Sequence, residues 1–240
     1  MVMSNTWFRF KQFGVEQEHC AMKVTTDACI QGAWTPLPPH TARVLDIGTG
    51  TGLLTLMLAQ RNNGLTIDAV EYDEAAAQQA RANAAASVWG ERIRVIHADI
   101  RAYTADGPYD VIICNPPFFS ASLLGDAHSR NMARHDVSLT RHELLRTVAA
   151  LLADDGYFSL LLPYTEYQLW KPLAATCGLY EQQCLHIAHR PGAPVKRVVS
   201  ILGKHHIPEP KEQLLVIKDV SHDGYTTQFR ELLGDFYLSL

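Results

Sequence analysis

An acceptor amide, two prolines and an aromatic ring follow one another at Asn115-Pro116-Pro117-Phe118. They come directly after residues 110–114, an apolar run that is typical of a buried parallel strand. The prolines stop the strand and stiffen the turn, since each fixes its own φ and lacks an N–H group. The turn then offers the Asn115 side-chain oxygen and the Asn115 or Pro116 carbonyl as acceptors beside the Phe118 ring. This set suits a planar substrate with an NH2 group, although a Pro-rich turn with a buried Phe is the structural alternative.

A second group of residues stands at the ends of three earlier predicted strands. The first strand ends in Asp46-Ile47-Gly48-Thr49-Gly50-Thr51-Gly52, whose glycines permit a tight turn and close approach of a ligand at a helix N-terminus. Glu71 ends the second strand, where an acid commonly accepts hydrogen bonds from ribose hydroxyls. Asp99 follows the third strand, in a position to accept a bond from an adenine amino group. Together with Asn115, these strand ends predict a nucleoside pocket, while the GxGxG spacing disfavours a dinucleotide-binding dehydrogenase.

The composition limits the class of protein. With 240 residues, 47% of them hydrophobic, the chain can bury one core of α/β size. The formal charge of −4 and the pI near 6.2 exclude a globally basic nucleic-acid binder but allow a local basic face. Five cysteines without a CxxC pair indicate free thiols in a reducing compartment and predict neither disulfides nor a metal site. Because no signal peptide or transmembrane stretch is visible, we expect a cytoplasmic protein without a membrane partner.

Strand-like and helix-like segments alternate between residues 42 and 177, which predicts a parallel sheet covered by helices on both faces. Thr140, with Glu143 three residues later, predicts a capping box at the start of one helix. Beyond Gly178 the pattern changes, and a turn at 189–194 predicts an antiparallel hairpin that closes one sheet edge. The predicted strands are Arg43–Ile47, 66–70, 92–97, Tyr109–Cys114, 157–162, 184–188 and 195–202. The predicted helices are 53–60, 73–88 and 140–152. The chain ends with the segment 214–218 and a helix-like segment at 226–240.

The order of the strand-end residues resembles class I S-adenosylmethionine-dependent methyltransferases, and Asn-Pro-Pro-Phe resembles their amino-methylating subset. Two N-terminal elements sharpen this resemblance, namely Phe10-Lys11-Gln12-Phe13 and Cys20-Ala21-Met22-Lys23-Val24-Thr25-Thr26-Asp27, with Gly32-Ala33-Trp34 after them. They look like the N-terminal segment of the bacterial tRNA1(Val) (adenine-37-N6)-methyltransferase family. The resemblance covers the chain from about residue 8 to residue 202.

This resemblance implies a Rossmann-like α/β fold with a mostly parallel sheet of seven strands and an antiparallel hairpin at one edge. It also implies S-adenosylmethionine as cofactor and N6-methylation of A37 in tRNA1(Val). We expect one domain over residues 1–240, with a covering segment at 1–40, a core at 41–203 and a C-terminal appendage at 204–240. By resemblance, the catalytic residues are Asn115, Pro116, Pro117 and Phe118, and the cofactor-binding residues are Lys23, Thr26, Asp27, Asp46, Gly48, Gly50, Thr51, Gly52, Glu71, Asp99 and Asn115.

Two basic groups give a separate reason to expect RNA. Four arginines and three histidines lie between residues 128 and 146, next to the Asn-Pro-Pro-Phe turn, and a second basic group occupies the predicted hairpin. Phosphate contacts from these groups give affinity without reading the base sequence. An ordinary solvated surface is the alternative explanation. The residues predicted to bind RNA are Arg130, Arg134, Arg141, Arg190, Lys196 and Arg197.

Several functions remain open at this point. Phe118 replaces the Tyr that is most frequent in the family, and Phe also occurs in guanine N2 methyltransferases of rRNA. Release-factor methyltransferases, which methylate a protein glutamine, share Asn-Pro-Pro-aromatic, but the roughly 40 residues before the first core strand are too few for their usual N-terminal helical domain. A non-catalytic scaffold that binds S-adenosylmethionine or RNA would not need the acceptor turn. Of the oligomeric states, we favour a monomer.

Overall fold

The computed structural model describes residues 6–116, 139–219 and 224–240. Within these ranges the chain forms ten strands and six α-helices. In chain order they are β1 (Trp7–Arg9), β2 (Gly14–Glu16), α1 (Thr26–Trp34), β3 (Arg43–Ile47), α2 (Leu53–Arg61), β4 (Thr66–Glu71), α3 (Glu74–Ala85), β5 (Ile93–His97), β6 (Tyr109–Cys114), α4 (Arg141–Leu151), β7 (Leu152–Pro163), α5 (Tyr164–Thr176), β8 (Tyr180–Ala188), β9 (Arg197–Gly203), β10 (Lys211–Val216) and α6 (Thr227–Leu233).

Eight of the described strands form one sheet in the order β10-β8-β9-β7-β6-β3-β4-β5, while β1 and β2 pair separately. Neighbours in this sheet are parallel except at β9, which runs antiparallel to both β7 and β8. From β3 the chain moves outward through β4 and β5, whereas from β6 it moves outward the other way through β7. The order of the strands therefore reverses between β3 and β6. Open α/β sheets bind ligands at the carboxyl ends of the strands at this kind of switch point.

The α/β class, the mostly parallel sheet and the antiparallel pair β8–β9 are confirmed, and two details differ from expectation. The described sheet has eight strands rather than seven, because Lys211–Val216 pairs in parallel with β8. The hairpin does not close an edge, because β9 lies between β7 and β8 and β10 forms the edge instead. The sequence pattern missed β10 because four of its six residues are exposed and only Leu215 is buried.

Two hydrophobic clusters cover the two faces of the sheet. Successive side chains along a strand point to opposite faces. Val44 and Val111 therefore belong to one cluster, and Leu45 and Ile112 belong to the other. Helices α1, α2 and α6 contribute to the first cluster, and α4 and α5 contribute to the second. The unbroken apolar runs of β3 and β6 follow from burial on both faces.

Helix caps agree with the local sequence. The capping box predicted at Thr140 and Glu143 is confirmed, since each side chain accepts a hydrogen bond from the other residue's backbone N–H. Thr25 caps α1 by accepting a bond from the Ala28 N–H over 3.2 Å. The predicted C-terminal helix is shorter than expected and ends before Gly234, a residue type that disfavours helices.

The C-terminal residues pack against the Phe-Lys-Gln-Phe motif. The rings of Phe10 and Phe13 stack with centroids 4.5 Å apart, and the Tyr237 ring lies 5.9 Å from that of Phe10. The Lys11 backbone N–H donates to the Phe236 carbonyl over 2.8 Å. This motif therefore joins the two ends of the described chain.

No helix among the described residues has the length and the apolar composition needed to cross a membrane. The cytoplasmic location, the monomeric state and the division of the chain at residues 40 and 203 stay predictions.

Candidate active site

The carboxyl ends of β3 and β6 lie side by side at the switch point. Ile47 at the end of β3 pairs with Cys114 at the end of β6, so Gly48 and Asn115 leave the sheet at the same level. On the other side of β3, the Gly48 N–H donates to the Val70 carbonyl of β4 over 2.8 Å. The glycine turn, the end of β4 and Asn115 therefore meet at the carboxyl end of the parallel strands.

Three glycines of the turn adopt backbone angles that disfavour side chains. The φ angle is +69° at Gly48, +56° at Gly50 and +80° at Gly52, all in the left-handed region. A Cβ atom added at Gly48 or Gly50 would meet no heavy atom within 4 Å. The turn thus leaves open space beside its backbone at the N-terminus of α2, where peptide N–H groups favour polar ligands.

Asp46 is completely buried beneath this turn. Its Oδ2 accepts hydrogen bonds from the hydroxyls of Thr49, over 2.7 Å, and Thr55, over 2.8 Å. Burial raises the pKa of the Asp46 carboxyl to about 6, while the two hydroxyls oppose that rise. Its Oδ1 atom has no partner among the described residues. The two threonines, which the sequence did not single out, therefore fix the base of the glycine turn through Asp46.

Glu71 ends β4 and braces the turn from the other side. Its Oε2 accepts from the Gly50 N–H over 2.8 Å, and its Oε1 accepts from the Asp73 N–H over 2.9 Å. A carboxylate offers about four acceptor positions, so about two remain for a ligand. The next residue in the chain, Tyr72, has 58% of its surface exposed.

Asp99 already has a partner in this structure. The Arg101 guanidinium donates from Nε over 3.0 Å and from Nη2 over 2.6 Å to the Asp99 carboxylate. These bonds lower the pKa of Asp99 and keep it ionised. An adenine amino group at Asp99 would therefore share the carboxylate with Arg101. The Asp-x-Arg spacing was a local signal for this pair that sequence reasoning overlooked.

Asn115 carries the most informative atom of the site. Its Oδ1 is buried and has no hydrogen-bond partner among the described residues. Buried polar atoms are nearly always paired, so an orphaned acceptor needs an explanation. Pro116 is buried directly after it, whereas Pro117 and Phe118 lie outside the described residues, and their predicted roles stay predictions.

A buried glutamine holds the chain just before Asn115. Gln31 Nε2 donates to the Cys114 carbonyl over 3.0 Å and to the Ser159 carbonyl over 3.2 Å. The Thr35 and Ser159 hydroxyls are hydrogen-bonded over 2.7 Å in the same group. A lone glutamine among the apolar residues of α1 was the only sequence signal for this contact. Helix α1 therefore fixes the end of β6 from which Asn115 extends.

The three N-terminal residues predicted to cover the cofactor have different surroundings. Lys23 is exposed. The Thr26 side chain is hydrogen-bonded to the Tyr237 hydroxyl. Asp27, in the first turn of α1, forms an ion pair with Arg197, with Oδ2 and Nε 3.2 Å apart. Burial raises the pKa of Asp27, and Arg197 opposes that rise.

The residues predicted to bind RNA separate into three groups. Arg130 and Arg134 lie outside the described residues. Two arginines already hold carboxylates, because Arg141 donates to buried Glu166 over 2.5 Å and Arg197 pairs with an acid of α1. Arg190 and Lys196 are exposed in the turn between β8 and β9. This turn lies at the same end of the sheet as the carboxyl end of β7, because Arg197 pairs with Pro163 there.

Comparison with known proteins agrees with this geometry. Residues 32–160 match the methyltransferase small domain family. A tRNA1(Val) (adenine(37)-N6)-methyltransferase of Bacteroides fragilis is 42% identical over 99% of this chain and 100% of that protein. A protein of the same name from Serratia proteamaculans is 42% identical over 96% of this chain and 89% of that protein. Among solved structures, a predicted O-methyltransferase of Agrobacterium tumefaciens shares the fold, with a TM-score of 0.66 at 19% identity over 89% of this chain and 99% of that one. The chain therefore belongs to the methyltransferase small domain family, within the tRNA1(Val) (adenine(37)-N6)-methyltransferases.

Proposed function

We infer that this chain transfers a methyl group from S-adenosylmethionine to N6 of adenine 37 in tRNA1(Val). The single observation that carries this inference is the buried Asn115 Oδ1, which has no partner among the described residues. It stands level with the glycine turn at the switch point of a class I methyltransferase fold. An acceptor at this place is ready for an N–H group of the substrate. The names of the relatives identify which N–H group that is.

The residues at the ends of β3 and β4 fit S-adenosylmethionine. The open space beside Gly48 and Gly50 accommodates a ligand close to the backbone. Glu71 has acceptor positions left for the two ribose hydroxyls. Asp99 offers a carboxylate to the adenine amino group in a shared arrangement with its arginine. When bound, the cofactor would supply an electrophilic methyl group on a sulfonium, whose sulfur would leave as a neutral thioether when the bond to the methyl carbon breaks.

The chain's own task is to present the nucleophile. The lone pair of an adenine amino nitrogen is delocalised into the ring, which makes this nitrogen a poor nucleophile. Asn115 Oδ1 and the Asn115 or Pro116 carbonyl accept its two N–H bonds and favour a more tetrahedral nitrogen with its lone pair directed at the methyl group. Orientation and preorganised polar contacts of this kind lower the barrier without a strong general base, and the methylated nitrogen then releases one proton to solvent. Phe118 stacks on the flipped base in this proposal.

Exposed cations at the same end of the sheet as the proposed pocket suit the phosphates of tRNA. Arg190 and Lys196 are exposed in the β8–β9 turn. Arg130 and Arg134 join them in this proposal on the strength of the sequence alone. Contacts of this type position the RNA and contribute a salt-dependent part of the affinity.

The test is to follow where labelled methyl groups go. The protein and labelled S-adenosylmethionine are incubated separately with total tRNA, ribosomal RNA and a release factor, and the Asn115→Ala variant is run beside each. We expect label in tRNA, recovered as N6-methyladenosine after digestion to nucleosides. Label in a guanine of ribosomal RNA, or in a release-factor glutamine, would replace the proposal with one of those activities. Absence of label in every pool, with the cofactor still bound, would leave a binding scaffold.

A further inference from the structure

Residues 17–27, called the strap below, connect β2 with α1, and the start of this segment is fixed beside the glycine turn. Asn83 of α3 exchanges hydrogen bonds with the Glu16 backbone over 3.0 and 2.8 Å, and it also donates to the Thr51 carbonyl of the glycine turn over 2.8 Å. Further along the strap, burial raises the pKa of the Cys20 thiol to about 11, and the Glu71 carboxylate adds to that rise. The strap therefore starts next to the glycine turn and Glu71.

The far end of the strap is fixed at the other side of the site. Asp27, where the strap enters α1, pairs with Arg197 at the first residue of β9. Arg197 in turn lies opposite Pro163 at the end of β7. About 30% of each charged side chain is exposed, 28% for Arg197 and 31% for Asp27. The pair is thus partly shielded from water, which strengthens it relative to a fully exposed ion pair.

The positions of the two ends show which strands the strap spans. In the sheet order, β3 and β6 lie between β4 and β7. A segment that starts beside the glycine turn and ends beside β7 spans the positions of β3 and β6 in this order. The carboxyl ends of these two strands carry the glycine turn and Asn115. The strap therefore starts and ends on either side of the site proposed for the cofactor, with Lys23 between its two ends.

We propose that Arg197 is a positioning residue, which holds the strap across the cofactor pocket through Asp27 rather than binding an RNA phosphate. The inference rests on the proposed function insofar as the pocket is taken to bind S-adenosylmethionine. It reassigns Arg197 from the RNA-binding group and gives Asp27 an anchoring role. Loss of either charge should loosen the strap and weaken cofactor binding, while the nucleophile-presenting turn at Asn115 keeps its geometry.

The test is a double-mutant cycle on the affinity for S-adenosylmethionine. Titration calorimetry on the wild type, Arg197→Gln, Asp27→Asn and the double variant gives each Kd without any RNA present. We expect each single variant to raise Kd on the order of tenfold, because contacting charges are coupled by amounts of this size. The double variant should bind about as well as either single variant, since both substitutions break the same pair. At saturating cofactor, the methyl-transfer rate should fall by a smaller factor than the cofactor affinity does.

Two control variants and one RNA measurement separate this role from others. Lys204→Ala breaks a more exposed ion pair away from the strap, with Lys204 Nζ and Asp154 Oδ1 3.1 Å apart, and should leave Kd unchanged. Lys196→Ala removes an exposed neighbouring cation and should lower the salt dependence of tRNA binding without changing cofactor affinity. Thermal melts show whether every variant is folded, and Arg197→Lys, which keeps the charge, should recover part of the affinity if Arg197→Gln is unstable.

Three results would overturn the proposal. An unchanged cofactor Kd in Arg197→Gln, together with a smaller salt slope for tRNA, would make Arg197 a phosphate ligand. Additive effects in the double variant would mean that the two residues act separately, with Asp27 touching the cofactor itself. If Lys204→Ala raised the Kd for the cofactor as much as Arg197→Gln does, the effect of Arg197→Gln would reflect a general loss of stability. Failure of the wild type to methylate tRNA while it still binds the cofactor would refute the proposed function but leave this test intact.

Discussion

Glu71 should be the residue whose loss weakens cofactor binding most clearly. In the structure, its carboxylate is held by the Gly50 and Asp73 N–H groups over 2.8 and 2.9 Å, so its free acceptor positions are oriented in advance. Losing a hydrogen bond between a charged carboxylate and a ligand costs roughly 1.5–3 kcal/mol. That range corresponds to roughly a 10- to 150-fold rise in the Kd for S-adenosylmethionine.

The assay is titration calorimetry on Glu71→Ala and Glu71→Gln, with Glu74→Ala as matched control. Glu74 is an exposed acid at the start of α3, and its side chain accepts a hydrogen bond from Gln78. Glu71→Gln should fall between wild type and Glu71→Ala, because its amide keeps one acceptor oxygen but turns an NH2 group toward a backbone donor. An affinity in Glu71→Ala equal to that of wild type would remove Glu71 from the site and refute the ribose assignment.

Three further outcomes follow from the same geometry. Burial raises the pKa of Asp46 to about 6, so between about pH 4 and pH 6 the native state binds a proton more readily than the unfolded state. The ionised carboxylate therefore lowers the free energy of unfolding, and this destabilisation is fully present above pH 6. The free energy of unfolding is measured with urea for Asp46→Asn and wild type, and the variant should be stabilised relative to wild type by a larger amount at pH 7.5 than at pH 4.5. An equal difference between the two proteins at both pH values would contradict the raised pKa. Arg190→Ala and Lys196→Ala should each reduce the slope of log K against log salt for tRNA by about 0.7–0.9, and an unchanged slope would make this turn a plain solvated surface. Arg141→Ala should lower the melting temperature, because it leaves the buried Glu166 without its cation; an unchanged melting temperature would mean that this pair adds no stability.

Much of the site could be predicted because its parts are local. The glycines, Glu71 and Asn115 each follow a strand that apolar periodicity reveals, and parallel strands bring their carboxyl ends to one edge of the sheet. The pairing of Ile47 with Cys114 then sets Gly48 beside Asn115 without any information from distant residues. The capping box at Thr140 was predictable for the same reason, since both partners lie within one turn of helix.

The contacts that escaped prediction join residues far apart in the chain. Gln31 reaches the Cys114 carbonyl 83 positions away, and the chain pattern shows only a polar residue in an apolar helix. The pair of Asp27 with Arg197 depends on β9 being inserted between β7 and β8, which the hairpin pattern did not indicate. In the sequence, Asp27 resembled a cofactor ligand and Arg197 resembled a phosphate ligand. Their ion pair is apparent only in the folded structure.

The rate of methyl transfer by Asn115→Ala tests the central claim most directly. Single-turnover transfer to tRNA is measured with enzyme in excess, and the Kd for S-adenosylmethionine is measured separately on the same preparation. Removal of the buried acceptor should slow transfer on the order of a hundredfold or more, as loss of a preorganised polar contact does, while cofactor affinity stays near that of wild type. Asn115→Asp, which keeps an acceptor, should retain part of the activity. If Asn115→Ala methylates tRNA at the wild-type rate, the Asn115 oxygen does not present the nucleophile and the acceptor-turn mechanism is contradicted.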